Sequence, residues 1–347
     1  MKVLVLWAPL ADYTVASLMQ LASKNDVEIH LIYQDGEADA PYDKFDLSFC
    51  KSALQYQAGN ESDLLRFSLH LVPDVILMSS WNYPYYMSIS KACRKLGTYV
   101  VSTFDGQWAG TFRQMLAILI SPFFLKPCID NFFVPGDRQA NFARKLGYNS
   151  PYLGYYTANN ERFQAVESDT RHRKFIFVGR LVPVKGIRFL ISAYRKYRSS
   201  VTNPWNLVIC GKGELEFLCA NQEGVEIHDF TQPVDLAKRL AGANCLILPS
   251  LFEPWGLVLH EAALAGLAII ASSSSGASTY FVKDGQNGYI VNPDENSLLR
   301  AMQLVSSASD KRLKEMFSIS KMLGSLWTTD KWAEYVYENI LVKNNRI

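Results

Sequence analysis

Short continuous apolar runs alternate with segments of helical spacing along the first half of the chain. Val3–Trp7, Glu28–Tyr33, Val75–Met78, Tyr99–Thr103 and Phe132–Pro135 read as strands. Val15–Ser23, Glu61–Leu71, Met87–Leu96 and Arg138–Leu146 read as helices between them, with Gly97 and Gly147 placed as C-terminal stops. Strand and helix in strict alternation predict a doubly wound parallel sheet.

The pattern restarts after a Tyr, Gly and Asn-rich loop at Gly154–Asn160. Lys174–Val178, Leu207–Cys210, Cys245–Leu248 and Ala268–Ala271 read as strands, and Ile187–Tyr197 and Leu236–Ala241 as helices. The pattern therefore predicts two α/β domains of similar size facing a central crevice. The boundaries are 1–155 for the first, 156–328 for the second, and 329–347 for a C-terminal helix. In that last segment Trp332, Tyr335, Val336 and Ile340 form a helical stripe suited to core packing.

Composition is that of a soluble globular protein, with 49% hydrophobic and 20% charged residues among 347. A net charge of +2 gives no electrostatic support to nucleic-acid binding. The first 155 residues carry 13 basic and 14 acidic side chains, so neither half stands out. Six cysteines without a C-x-x-C pair read as reduced, mostly buried thiols of a cytoplasmic protein. MKVLVLW reads as a first strand rather than a signal peptide. The longest apolar stretch, Met115–Leu125, is too short to span a bilayer and is interrupted by Pro122.

The chemistry concentrates in LPSLFEPWGLVLHEAALAG, Leu248 to Gly266. A buried strand leads into a turn with Pro254 and Gly256, and then into a helix. Glu253 stands in the turn and Glu261 in the helix, among Leu257, Val258, Leu259, Ala262, Ala263 and Leu264. A carboxylate at the end of a parallel strand beside the free N–H groups of a helix start suits phosphate and ligand binding. A charge in so apolar a helix needs a partner or a ligand. Upstream, Gly179-Arg180 turns out of one strand and Lys185-Gly186 opens a helix. Two cations at a strand end read, taken alone, as solvated surface charges; ahead of the glutamate motif they suit a diphosphate whose charge grows as it leaves. Gly211-Lys212-Gly213-Glu214 follows the next strand and reads either as an ordinary glycine turn or as a place of close backbone approach to a nucleoside.

These residues carry a resemblance. VGRLVPVKG, ICGKGE, LPSLFEPWGLVLHEAALAG and DGQNGYIV, in this order across residues 174–294, resemble glycosyltransferase family 4, retaining enzymes of the GT-B fold. The first domain matches only in pattern and length. The resemblance implies that Arg180 and Lys185 bind the donor diphosphate and that Glu253 contacts donor-sugar hydroxyls. It further implies that the backbone amides of Gly256, Leu257 and Val258 hold sugar and phosphate. Glu261 would take the ribose hydroxyls, and the nucleobase would sit near Gly211, Gly213 and the Asp229–Gln232 loop. No resident metal or other cofactor is implied, because Arg180 and Lys185 carry the phosphate charge.

Two features depart from the family. The loop after the first strand, Trp7 to Asp12, has no glycine, and none of the five histidines fits the first-domain loop where members often carry one. In that place stands Asp105, read either as a catalytic group or as a turn or N-cap aspartate. Residues 113–126 read first as a core helix and second as a peripheral membrane contact; the near-neutral charge of the domain weighs against the second. Trp81, Tyr83, Tyr85, Tyr86 and Trp108 read either as packing residues or as sugar-stacking acceptor contacts. The resulting expectation is a retaining, metal-independent transferase moving sugar from a nucleotide-diphosphate sugar to a saccharide or lipid-linked acceptor. Such an enzyme would work in the cytoplasm, at or near the inner membrane face, in surface-polysaccharide assembly. The alternatives are a non-catalytic nucleotide-sugar-binding protein and a nucleotide-sugar epimerase on the same fold.

Overall fold

The computed structural model describes residues 1–35, 41–164 and 169–344. The chain divides into two compact units, Met1–Thr157 with Thr329–Ile347, and Ala158–Thr328. The last three residues of the expected 329–347 segment lie outside the described residues.

The first unit runs β1 (Lys2–Trp7), α1 (Asp12–Ala22), β2 (Glu28–Tyr33), β3 (Ser52–Gln55), α2 (Glu61–Leu71), β4 (Val75–Met78), α3 (Pro84–Arg94), β5 (Tyr99–Thr103), α4 (Phe112–Phe124), β6 (Asn131–Val134), α5 (Asp137–Lys145) and β7 (Tyr152–Leu153). Its strands pair in parallel in the order β3-β2-β1-β4-β5-β6-β7. Val3, Leu4, Val5 and Leu6 are fully buried in succession. Helices thus cover both faces of the sheet, which is why its inner strands are apolar at consecutive positions.

The second unit runs α6 (Asn160–Gln164), β8 (Lys174–Val178), a 3₁₀ turn (Pro183–Lys185), α7 (Ile187–Ser200), β9 (Asn206–Cys210), α8 (Glu216–Cys219), β10 (Val225–His228), α9 (Pro233–Ala241), β11 (Cys245–Leu248), α10 (Val258–Ala265), β12 (Ala268–Ser272), α11 (Ser278–Phe281), β13 (Gly288–Val291), α12 (Glu295–Ser306) and α13 (Asp310–Gly324). Its sheet is again parallel, in the order β10-β9-β8-β11-β12-β13. The chain leaves β8 toward β9 on one side and later returns to β11 on the other. The switch point of the sheet therefore lies between β8 and β11.

Inside this unit His260 of α10 is fully buried. Its Nδ1 accepts from the Ala158 amide at 3.1 Å and its Nε2 donates to the Gly324 carbonyl at 2.9 Å. The ring also stacks on Phe281. Burial pushes its pKa down to about 4, so the neutral imidazole ties α10 to the two ends of the unit.

After the second unit the chain returns to the first as α14 (Thr329–Val336), which continues as a π-helical turn, Tyr337–Val342. Trp332 Nε1 donates to the Tyr155 carbonyl at 2.9 Å, and Tyr335 stacks on Phe133. Tyr337 donates to Asp26 at 3.1 Å.

The expectation of a core helix at residues 113–126 is overturned. Thr111 caps α4 by accepting from the Gln114 amide, and Pro122 is accommodated within it. Ser121 is its one fully buried residue and donates to the Leu146 carbonyl at 2.7 Å. Phe112, Met115, Leu116, Leu119, Ile120, Phe123 and Phe124 are instead 42–84% exposed. The physical reason is that a narrow side of the helix, with Ala117, Ile118 and Ser121, fits against the unit, leaving the wider apolar stripe outside.

The aromatic candidates of the first unit mostly pack. Tyr86 is fully buried, Trp81 meets Phe104 and Phe132, and Tyr83, Tyr85 and Trp108 lie against the same core.

Candidate functional site

At the C-terminal ends of β8, β9 and β11 three loops meet backbone to backbone. The Gly179 amide donates to the Cys210 carbonyl at 3.0 Å, and Leu181 donates to Lys212 at 2.8 Å. Leu251 donates to Val184 at 2.8 Å. Glycine makes this approach achievable. A Cβ on Gly211 would lie 2.0 Å from the Gly179 carbonyl oxygen, and one on Gly186 would lie 2.1 Å from that of Pro249. Gly186 also has φ +72°, where side chains are strained. Gly213 comes similarly close to the Leu181 carbonyl.

The 3₁₀ turn delivers Lys185 into this junction. Its Nζ pairs with Glu253 Oε2, and the two side chains are 18% and 10% exposed. Its stem runs back past the end of β8, since a Cβ on Gly179 would stand 4.0 Å from Lys185 Cε. Glu253 also accepts from Ser250 Oγ at 3.1 Å, while its carbonyl accepts from the Gly276 amide at 3.1 Å. The loop is therefore anchored on both sides of the carboxylate.

Gly256 then turns the chain back over Glu253, its Cβ position 3.1 Å from Glu253 Cγ. Helix α10 begins immediately, with Leu257 as N-cap residue. Among the described residues the amides of Gly256, Leu257 and Val258 meet no acceptor. Glu261 follows, half-buried in the first turn of the helix.

The structure thus brings Lys185, Glu253 and the start of α10 together. Arg180 is exposed two residues beyond β8. The cluster combines a cation, a carboxylate and a helix start with open donors, so it is able to hold an anion and polyol hydroxyls side by side.

A cavity of about 570 Å³ lies elsewhere in this unit, lined by Lys174, Glu226, His228, Asp229, Gln232 and Arg239 among others. It includes the expected Asp229–Gln232 loop but reaches back to the start of β8. It does not include Lys185, Glu253 or the start of α10.

In the first unit Asp105 lies two residues beyond β5 and accepts from the Tyr156 hydroxyl at 3.2 Å. It is not the N-cap of α4, which is Thr111. It lines a cavity of about 220 Å³ with Ser79, Trp81, Asn82, Gly106 and Tyr156 among others. Burial, with Tyr13, Tyr155 and Asp105 nearby, holds the Tyr156 phenol well above its usual range, so it remains a donor to Asp105. The glycine-free loop after β1 is tied down by its own contacts: the Ala8 carbonyl accepts from Ser79 and Tyr83.

Ser250 and Tyr156 were missed in the sequence reading. Ser250 is visible in the LPSLFEP run, as a hydroxyl three residues before a carboxylate. Nothing local links Tyr156 to Asp105.

Comparison with known proteins bears on family and fold. Residues 158–320 match the sequence model described as "Glycosyl transferases group 1". An uncharacterised glycosyltransferase of Methanocaldococcus jannaschii is 34% identical over 146 residues, covering 39% of this chain and 36% of that protein. The α-maltose-1-phosphate synthase of Mycobacterium tuberculosis is 31% identical over 132 residues, or 34% of this chain and 33% of that protein. The chain therefore matches about a third of the length of these relatives.

Among solved structures, a sucrose-phosphate synthase from Thermosynechococcus elongatus superposes with TM-score 0.74 at 16% identity, covering 97% of each chain. An Anabaena protein in complex with UDP and glucose gives 0.73 at 13% identity, covering 98% of this chain and 99% of that one. At such identity the likeness establishes the fold. Residues 158–320 thus belong to the group 1 glycosyl transferases, family 4, and the chain as a whole is carried on two parallel α/β sheets like those of the GT-B structures.

Proposed function

We propose that this protein is a retaining glycosyltransferase that moves a sugar from a nucleotide-diphosphate sugar to a saccharide or lipid-linked saccharide. The observation that carries the reading is the Lys185–Glu253 pair beside the open amides of α10. In the free protein each charge neutralises the other. A diphosphate arriving at the helix start competes for Lys185, which leaves the Glu253 carboxylate to accept from sugar hydroxyls.

Arg180 and Lys185 stabilise the diphosphate as the bond from the anomeric carbon to its oxygen breaks. The new bond joins that carbon to the acceptor oxygen on the same face, and the acceptor's proton leaves with the diphosphate. Glu261 takes the ribose hydroxyls, and Gly211 and Gly213 let the backbone approach the nucleoside. Asp105 and Tyr156 serve the acceptor side. The cations carry the phosphate charge, so a chelator leaves the rate unchanged. The Anabaena neighbour was crystallised with UDP-glucose, which makes that donor the first to test. A cytoplasmic setting follows from the donor class.

The loop after β1 favours a second reading. Its amide at Ala8 already donates to Ser79 Oγ at 3.1 Å, and it lacks the glycines that would admit phosphate, as in a protein that binds a nucleotide sugar without turning it over.

Thermal stabilisation by UDP, GDP, ADP, TDP and CMP and their sugar conjugates tests donor binding. Saturation to a hundred times the dissociation constant adds ~2.7 kcal/mol. The proposal expects one base to shift the melting temperature by several degrees and its labelled sugar to appear in an acceptor. A shift without transfer supports the binding protein, free epimerised nucleotide sugar supports an epimerase, and no shift with any base refutes all three.

A further inference from the structure

The outward face of α4 carries seven large apolar side chains, at 112, 115, 116, 119, 120, 123 and 124, each at least 42% exposed. Their spacing of three and four residues puts them on one stripe. Such a stripe normally faces a core, and here the core side is taken by Ala117, Ile118 and Ser121. A contiguous apolar strip in water marks an interaction surface.

Local charge selects what covers it. No Asp or Glu occurs from Gly106 to Ile129, and Lys91 to Lys145 holds eight basic and three acidic residues. Residues 1–90 hold five basic and eleven acidic, so the near neutrality of the first unit conceals a polarised chain. One of those three acids, Asp130, is bound by Arg94.

The cations also sit at the ends of the strip. Arg113 is exposed in the first turn of α4. Lys126 follows its last turn, its Nζ donating to the Gly147 carbonyl at 2.7 Å. Lys145 lies 4.9 Å over the ring of Trp108, just before the helix, and its neighbour Arg144 is exposed.

We propose that α4 lies flat on an anionic bilayer surface, with its apolar strip at the acyl boundary and Arg113, Lys126, Arg144 and Lys145 toward the headgroup phosphates. No helix among the described residues is long and apolar enough to cross a membrane, so the contact is in the interfacial plane. A second copy of the chain fits less well. A strip one helix wide and about 20 Å long falls short of the ~800 Å² that each partner of a stable dimer buries, and two basic rims would meet. This docking stands apart from the proposed reaction and is read without any activity measurement.

The test is co-sedimentation of the full chain with vesicles of phosphatidylcholine, with and without phosphatidylglycerol. The expected result is binding to the phosphatidylglycerol vesicles and weakening by salt. The double variant Leu119→Glu/Phe123→Glu should weaken binding by about tenfold or more without lowering the melting temperature, since both side chains are already in water. Arg113→Gln/Arg144→Gln should remove the preference for anionic lipid. Failure of the native chain to bind either vesicle overturns the proposal, as does equal binding by the apolar double variant. A concentration-dependent dimer abolished by that variant, without vesicle binding, overturns it in favour of self-association.

Discussion

Lys185 and Glu253, 68 positions apart, form an ion pair at the switch point of the second sheet, in side chains that are 18% and 10% exposed. Breaking such a pair by removing one partner strands the other. Lys185→Ala should therefore cost about 1–3 kcal/mol of stability, with the carboxylate left to Ser250. The proposed role adds a loss of ~10²–10³ in transfer rate. The double variant Lys185→Ala/Glu253→Gln separates the two effects. Its stability should recover, because no buried charge is left unpaired, while transfer stays low. Denaturation midpoints and initial rates for the two singles and the double form the cycle. A double variant whose rate recovers along with its stability would make the pair structural.

Gly186→Ala should destabilise the second unit by about 3 kcal/mol. The new Cβ would sit 2.1 Å from the Pro249 carbonyl oxygen, and φ of +72° already disfavours a side chain. The neighbouring loops would have to part, so the Leu251 to Val184 bond would weaken as well. For a unit of this size such a change lowers the melting temperature by roughly 6–12 °C. Gly285→Ala serves as the comparison, because it has a similar φ of +69° but open space around its Cβ. It should cost only the backbone term, about 1 kcal/mol.

The inner strands of both sheets were legible because each is covered on both faces and so is apolar at successive positions. The four strands that the hydrophobic pattern did not reveal are β3, β7, β10 and β13, and these are the four sheet edges. Ser52–Gln55 and Val225–His228 alternate or stay polar because one side of an edge strand meets water. Tyr152–Leu153 is only two residues long.

Helix α4 was misread for a related reason. Apolar spacing defines a stripe but not which way it points, and here the unit takes the serine side. The site divides in the same manner. Local order placed Lys185, Glu253 and the start of α10 at strand ends, since loops leave parallel sheets there. The direct contact of Lys185 with Glu253, and of Asp105 with Tyr156, depends on tertiary packing that no local spacing carries.

His260 gives the second unit a pH-dependent contribution to stability. Its folded pKa is held down to about 4 by burial, against about 6.5 in the unfolded chain. Its contribution is therefore fully present above pH 6.5 and is lost progressively as pH falls toward 4, because only the unfolded state takes up the proton there. The difference amounts to roughly 3 kcal/mol. His260→Gln should be less stable at neutral pH, and its stability should fall less steeply between pH 6.5 and 4 than that of the native chain. Urea unfolding at half-unit pH steps reads the two slopes, and parallel slopes would assign the acid sensitivity to other groups.

Asp105 and Tyr156 should separate binding from transfer. Both belong to the first unit, and the strand-end cluster that is proposed to hold the donor belongs to the second. Asp105→Asn keeps an acceptor for the Tyr156 hydroxyl while removing the charge, so the fold should hold within about 1 kcal/mol. The thermal shift with the nucleotide should stay unchanged and the transfer rate should fall ~10²-fold or more, the size seen when a positioned polar group at a reacting centre is lost. Tyr156→Phe removes the hydrogen bond to the Asp105 carboxylate and keeps its charge. It should therefore fall between the native chain and Asp105→Asn, with its loss in kcat rather than in donor KM. If both variants lose nucleotide binding and transfer together, with lowered melting temperatures, then this pair holds the first unit together and takes no part in the chemistry.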